Sequence, residues 1–285
     1  MSLSTIRPTD LQGEDAAKLN ACNSRSPLRY FALVLGVSVP FWLLGAATDL
    51  QLMPGLSVSA LMAFCPMAVA LMLAHREQSP RGALGLLKRS FDFRRITAKR
   101  WYAPVLMLMP VVSLAVYGLM RWMHLPMPSM QSIETIAALP AFLMFLAFFV
   151  AALGEELGWS GYALGPLQSR WTALQAGLIL GVVSVLWHLV PLLLVHRSPT
   201  WIAWWCLYAG AARILIVWLY NNTGNSVFAV ALFHATLNLT YMLFPVYGSY
   251  FDMRLGGLVM AFVAAMVAAI WGSKTLTRFS VPVGG

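Results

Sequence analysis

The sequence predicts an all-α fold, a polytopic membrane helical bundle of about eight transmembrane helices, and three observations predict it. Hydrophobic residues make up 60% of the 285 residues and charged ones only 10%, with a mean hydropathy of +0.73; a soluble domain carries about 25% charged residues. The apolar residues come in blocks of roughly 20, the length that crosses a hydrocarbon core about 30 Å thick. The Lys and Arg residues fall between the blocks, with a strong bias to alternate connections. Each block must be helical, because lipid offers no partner to peptide N–H and C=O groups.

The blocks cover approximately 30–49, 56–74, 101–120, 138–162, 173–195, 201–220, 225–245 and 255–272. They form a bundle over 30–272, after a polar tail at 1–29 and before a short tail at 273–285. Proline marks joints at Pro54, Pro126, Pro128 and Pro199; Pro40, Pro66, Pro110 and Pro191 fall inside blocks, where membrane helices tolerate a kink. Trp101 and Trp201 open blocks as interfacial anchors do. The first 29 residues contain no apolar core of the signal-peptide kind.

Orientation follows from the basic residues. Arg7, Lys18, Arg25 and Arg29 in the N-terminal tail, Arg76, Arg81, Lys88, Arg89, Arg94, Arg95, Lys99 and Arg100 after the second block, and Arg170, Lys274 and Arg278 share one side. The other side holds Arg121, Arg197 and Arg254, and Arg213 lies inside the sixth block. Fifteen of the 19 cations against three place both termini in the cytoplasm, as an even number of spans requires, in a plasma (inner) membrane. The net charge of +9 does not signal nucleic acid. The cations flank apolar spans, where anionic lipid is the partner, and no soluble, aromatic-interleaved basic face accompanies them. Cys22, Cys65 and Cys206 lie far apart, with no CxxC pair and no disulfide framework.

Of ten acidic residues, only Glu155 and Glu156 sit well inside a block. An ionisable group in the membrane costs several kcal/mol unless paired or hydrated, which makes these two functional candidates. Two adjacent carboxyls do not both ionise easily, so one retains its proton more readily and is suited to general-base work; interhelical hydrogen bonding is the structural alternative. His188 lies in the fifth block, and His234 and Asn238 lie four apart on one face of the seventh. Each alone reads equally as an interhelical hydrogen-bonding residue. Together the five can meet only inside the bundle, and the set contains a base, a second proton-transfer group and neutral donors for an oxyanion. Arg213 is the other intramembrane charge; it either pairs with Glu155 or Glu156 or snorkels to the cytoplasmic interface.

Gly154-Glu155-Glu156-Leu157-Gly158-Trp159-Ser160-Gly161-Tyr162 resembles the first motif of the CPBP family of CAAX proteases and bacteriocin-processing enzymes, Glu-Glu-x-x-x-Arg. Trp187-His188-Leu189 is similar to the second motif, and His234-Ala235-Thr236-Leu237-Asn238 to the third, His-x-x-x-Asn. Trp218-Leu219-Tyr220-Asn221-Asn222-Thr223 also has the family's look, and the resemblance covers roughly 135–245. It implies an intramembrane endopeptidase, CAAX-processing-like. Glu155 would activate water with help from His188, His234 and Asn238 would hold the oxyanion, and Glu156 would orient the site. The substrate would be a membrane-associated peptide or protein. No cofactor is favoured; a zinc site from Glu155, His188 and His234 is the alternative.

Two positions depart from the motifs: Ser160 stands where the first has Arg, and Ser184 where the second often has Phe. An Arg at 160 would sit one turn from Glu156 as its ion-pair partner. Its absence leaves open an inactive scaffold or immunity-type binding protein, while buried Glu and His also suit a small proton-coupled transporter. On these block ends Glu155 lies in the cytoplasmic half of the bilayer and His188 at mid-span or beyond, so the two do not meet in depth.

Overall fold

A computed structural model describes residues 25–48, 50–53, 56–127, 138–244 and 248–278, with backbone alone at 78–79 and 138–139. Arg7, Lys18, Cys22, Pro54 and Pro128 lie outside the described residues, as does most of the N-terminal tail. The chain runs α1 Pro27–Ala47, a hairpin of β1 Gln51–Met53 and β2 Leu56–Ser57, a 3-10 segment Val58–Phe64, α2 Cys65–Lys88, α3 Tyr102–Trp122, and α4 Ala138–Gly158. It continues with a π-helical turn Trp159–Ala163, α5 Leu164–Gln168, α6 Ala173–Leu194, α7 Pro199–Asn222, α8 Val227–Leu243 and α9 Met253–Trp271. Among the described residues, seven helical segments are long and apolar enough to cross a membrane. The remaining block, the seventh, is α8, whose 17 residues give about 26 Å of helix, a little short of the hydrocarbon thickness. Leu114, Phe142, Val182 and Phe262 point outward, more than half exposed, which a lipid-facing surface accounts for and an aqueous one does not.

Two block ends need correction. The second span does not stop at 74: α2 runs on to Lys88 and carries Arg76 and Arg81 beyond its apolar part. The fourth does not stop at 162. The π turn absorbs Trp159–Ala163 without breaking the helix, and the apolar segment extends over Pro140–Gln168. That extension removes the depth mismatch. Glu155 lies 13 residues, roughly 20 Å, before Gln168, and His188 lies 15 residues, roughly 22 Å, after Ala173 on the next span, which runs the other way.

Glycines allow the packing that positions the site. On α4, Gly154 and Gly158 are one turn apart, and added Cβ atoms would fall 2.8 Å from the Ala63 carbonyl oxygen and 2.5 Å from that of Pro66. The motif-bearing helix is therefore seated on the start of α2 through bare backbone, the small-xxx-small geometry of membrane helices. On α6, a Cβ at Gly181 would lie 3.3 Å from the Gly210 Cα, which brings α6 against the part of α7 that carries Arg213. α8 packs on α3, α4 and α7.

The bundle has two distinct ends. At one, Arg25 pairs with Glu77 at 2.9 Å, and Arg170 donates to the Arg25 carbonyl. Arg89 reaches the Gly161 carbonyl and the Tyr220 hydroxyl, and Arg95 reaches the Gly224 carbonyl. Ala173 donates to the Lys274 carbonyl, and Asn221 and Asn222 hold the carbonyls of Thr275 and Leu276. The family-like stretch 218–223 thus fastens the segment after α9. The opposite end carries the 51–57 hairpin, the α6–α7 turn with Arg197, and the α8–α9 connection with Asp252 and Arg254.

Candidate active site

Glu155 and Glu156 lie three and two residues before the end of α4, 6% and 0% exposed. Arg213, 5% exposed, reaches both from α7: Nη1 to Glu156 Oε1 at 2.6 Å and Nη2 to Glu155 Oε2 at 3.1 Å. Of its two alternatives, pairing is therefore the one seen, and snorkelling is not. Ser160 stands one turn after Glu156 and donates its hydroxyl to Oε2 at 2.5 Å. Ser160 supplies the local hydrogen bond, and Arg213 supplies the charge from another helix.

His234 on α8 places Nδ1 2.9 Å from Glu156 Oε1 and Nε2 4.0 Å from Glu155 Oε1. A carboxylate only accepts, so Nδ1 carries a proton and Nε2 faces Glu155. His188 on α6 has Nδ1 2.8 Å from the Ser184 carbonyl oxygen; a carbonyl cannot donate, so the proton is on Nδ1 and Nε2 is left as an acceptor. The His188 ring is held between Trp187 at 4.7 Å and Trp205 at 5.3 Å. Ser184, where the family often has Phe, thus contributes its backbone.

A cavity of about 270 Å³ joins the set. Glu155, His188, His234 and Asn238 all line it, whereas Glu156 does not. The two glutamates therefore differ in role. Glu156 has its oxygens engaged by Arg213, Ser160 and His234 and holds these groups in place, while Glu155 faces the space a substrate can enter. The walls are largely apolar and aromatic, with Trp187, Trp201, Trp205, Tyr208 and Tyr241. Ser59, also in the wall, has a buried hydroxyl with no hydrogen-bond partner.

Sequence reasoning missed Trp205, Tyr208, Tyr241, Ser59 and Arg197 as lining residues. Aromatics in an apolar block carry no signal that separates cavity from lipid. Trp201, expected as an interfacial anchor, lines the cavity with the Arg197 guanidinium 4.6 Å from its ring centroid. The cavity lining reaches Leu56, Val195, Arg197 and Met253, at the end of the bundle that carries few cations. The zinc alternative asks Glu155, His188 and His234 to converge on one ion. Among the described residues no group of three His, Cys, Asp or Glu side chains is already gathered as a metal-holding set.

Fold and motifs resemble those of a polytopic membrane endopeptidase of the CPBP type. The family model for Rce1-like type II CAAX prenyl endopeptidases matches residues 137–240, the stretch that holds all three motifs. The chain is similar to CAAX prenyl protease 2 of Methanococcus maripaludis, 25% identical over 248 residues that cover 78% of this chain and 86% of that protein. Both similarities support an Rce1-like membrane endopeptidase.

Proposed function

We propose that the protein hydrolyses a peptide bond in a membrane-associated peptide or protein by glutamate-activated water, in the manner of CAAX processing. The observation that carries the reading is the shared cavity: Glu155, His188, His234 and Asn238 face one space while Glu156 is fully engaged behind them. Glu155 accepts a proton from water as its oxygen attacks the carbonyl carbon, and His188 Nε2 accepts the second hydrogen bond that orients that water. The oxyanion is met by the Asn238 amide and His234 Nε2–H. Because His234 Nδ1 already donates to Glu156, donation from Nε2 requires the imidazolium. The tetrahedral intermediate collapses with cleavage of the C–N bond, and the proton held by Glu155 passes to the leaving amine.

Cleavage of a membrane peptide substrate in liposomes tests this. Glu155→Gln and His188→Ala should each abolish it while folding persists, and the double variant should be little worse than either single, because base and partner act as a unit. Undiminished cleavage by Glu155→Gln removes Glu155 as base. Activity should survive stringent metal removal; its loss, with recovery on adding zinc, would replace this route by a metal-dependent one. One observation favours a second reading: Arg213 also pairs with Glu155, as in a site built to hold carboxylates rather than to use one. An inactive scaffold predicts no cleavage by the parent protein under any condition.

A further inference from the structure

We infer that Arg89 is a positioning residue of the active site: from the cation-rich end of the bundle it sets the axial register of α4, α7 and α8, and so the meeting of the two glutamates with Arg213 and His234. Its consequence for catalysis rests on the reading of Glu155 as base; its effect on geometry does not.

The first observation is what one guanidinium holds. The Arg89 side chain is 20% exposed, against 54% for Arg95 in the same connection. Nη1 donates to the Gly161 carbonyl at 3.0 Å, in the π turn that continues α4. Nη2 donates to the Tyr220 hydroxyl at 2.8 Å, near the end of α7, and to the Asn225 carbonyl in the turn before α8. Nε stands 3.5 Å from Asp92 Oδ2. Asp92 in turn accepts from the Ser226 hydroxyl and from the Val227 and Phe228 N–H groups that open α8. The partners of the guanidinium lie 72, 131 and 136 positions away, so none of these bonds is local turn geometry.

The second is level. Gly161 lies five residues after Glu156, Tyr220 seven after Arg213, and Val227 seven before His234. At about 1.5 Å per residue these are roughly 8, 10 and 10 Å along their helices. Arg89 and Asp92 therefore pin the three helices in one layer. A second layer, between one and two turns away on all three, is the one in which Glu156 meets Arg213 at 2.6 Å and His234 at 2.9 Å.

The third is need. Lipid tails are as apolar as the side chains they replace, so apolar packing alone resists little an axial slip of one membrane helix on another. The catalytic contacts do not tolerate such slip, since a misplacement of about 1 Å can cost roughly a hundredfold in rate. A planar guanidinium with five donors in a fixed fork can bind three elements at once, which the compact head of lysine cannot. A cation required only for charge bias or for lipid contact would be exposed, as Arg94 and Arg95 are, and lysine would serve in its place.

NMR of the whole protein in micelles, with 15N-labelled histidine and His234 assigned through His234→Gln, reads the register without any substrate. In Arg89→Lys the His234 Nδ1 signal, which reports the hydrogen bond to Glu156, should move; in Arg94→Lys it should stay where the parent has it. Tyr220→Phe removes one arm of the clamp and should move the signal less. In liposomes, with a quenched fluorescent membrane-anchored peptide as probe, Arg89→Lys should lower kcat by about tenfold or more and change KM by less than about twofold. A His234 signal in Arg89→Lys that matches the parent overturns the inference, and so does a loss that falls in KM. Should Arg89→Lys fail to fold, Tyr220→Phe decides by the same signal, and a parent-like position there overturns the inference. A displaced His234 signal with no cleavage by the parent supports the register role and refutes the reading of Glu155 instead.

Discussion

At the scale of single residues, the polar contents of the bundle form one connected set. Two carboxylates, a guanidinium, two imidazoles, a hydroxyl and an amide come from α4, α6, α7, α8 and the π turn. Arg213 is the residue on which the others depend most. Removing it leaves two buried carboxylates without a compensating cation, so Arg213→Ala should cost about 3–5 kcal/mol of stability, read as thermal unfolding in detergent, and should abolish any activity. Ser160→Arg in that variant should recover part of the loss, because it returns a guanidinium one turn from Glu156. If Arg213→Ala unfolds like the parent, the carboxylates are balanced by protons instead. The set was readable in the sequence because ionisable residues are rare in apolar blocks. A division of labour between Glu155 and Glu156 came only from the family resemblance, since adjacent residues differ only in which way their helix turns them.

At the scale of elements, α4 and α8 carry the first and third motifs, and each is positioned by something outside itself. α4 is seated on α2 through Gly154 and Gly158, and a Cβ at Gly158 would press on both the Pro66 carbonyl and the Tyr30 hydroxyl. Gly158→Ala should therefore lower stability by about 1–3 kcal/mol and weaken cleavage, although it touches no catalytic group. Equal melting temperatures for variant and parent would mean that the helices separate freely. α8 begins at Asp92, which accepts from the Ser226 hydroxyl at 2.7 Å and from the Val227 and Phe228 N–H groups at 3.2 and 3.0 Å. Asp92→Ala should cost about 1–2 kcal/mol through the lost cap, measured by the same unfolding assay. The eight blocks were legible in hydropathy. The continuation of the fourth through a π turn was not, because nothing in Trp159–Ala163 breaks or extends an apolar pattern, and the long-range cap on α8 has no local signature.

At the scale of the whole molecule, the bundle sorts its charge by end. Fluorescent or phosphatase fusions at residue 88 and at the C-terminus should report the cytoplasm, and a fusion at residue 197 should report the outside. A periplasmic signal from the fusion at 88 would reverse the orientation. Charge counting reached this arrangement from the sequence; the cavity was not legible there, because its lining is drawn from five separated stretches of chain.

Asp92 and Ser226 are 134 positions apart. During synthesis the acceptor is therefore finished long before the helix it caps has left the ribosome. Until α8 arrives, the 89–95 turns have no partner at that point, and α8 by itself is a short segment whose Val227 and Phe228 N–H groups lack their acceptor. The two complete each other only at a late stage of biogenesis. A chain stopped before residue 226 should keep the 89–95 region open to proteases on the cytoplasmic surface, so that assembly of the last motif-bearing helix also closes the region through which an unfinished chain would be recognised and degraded.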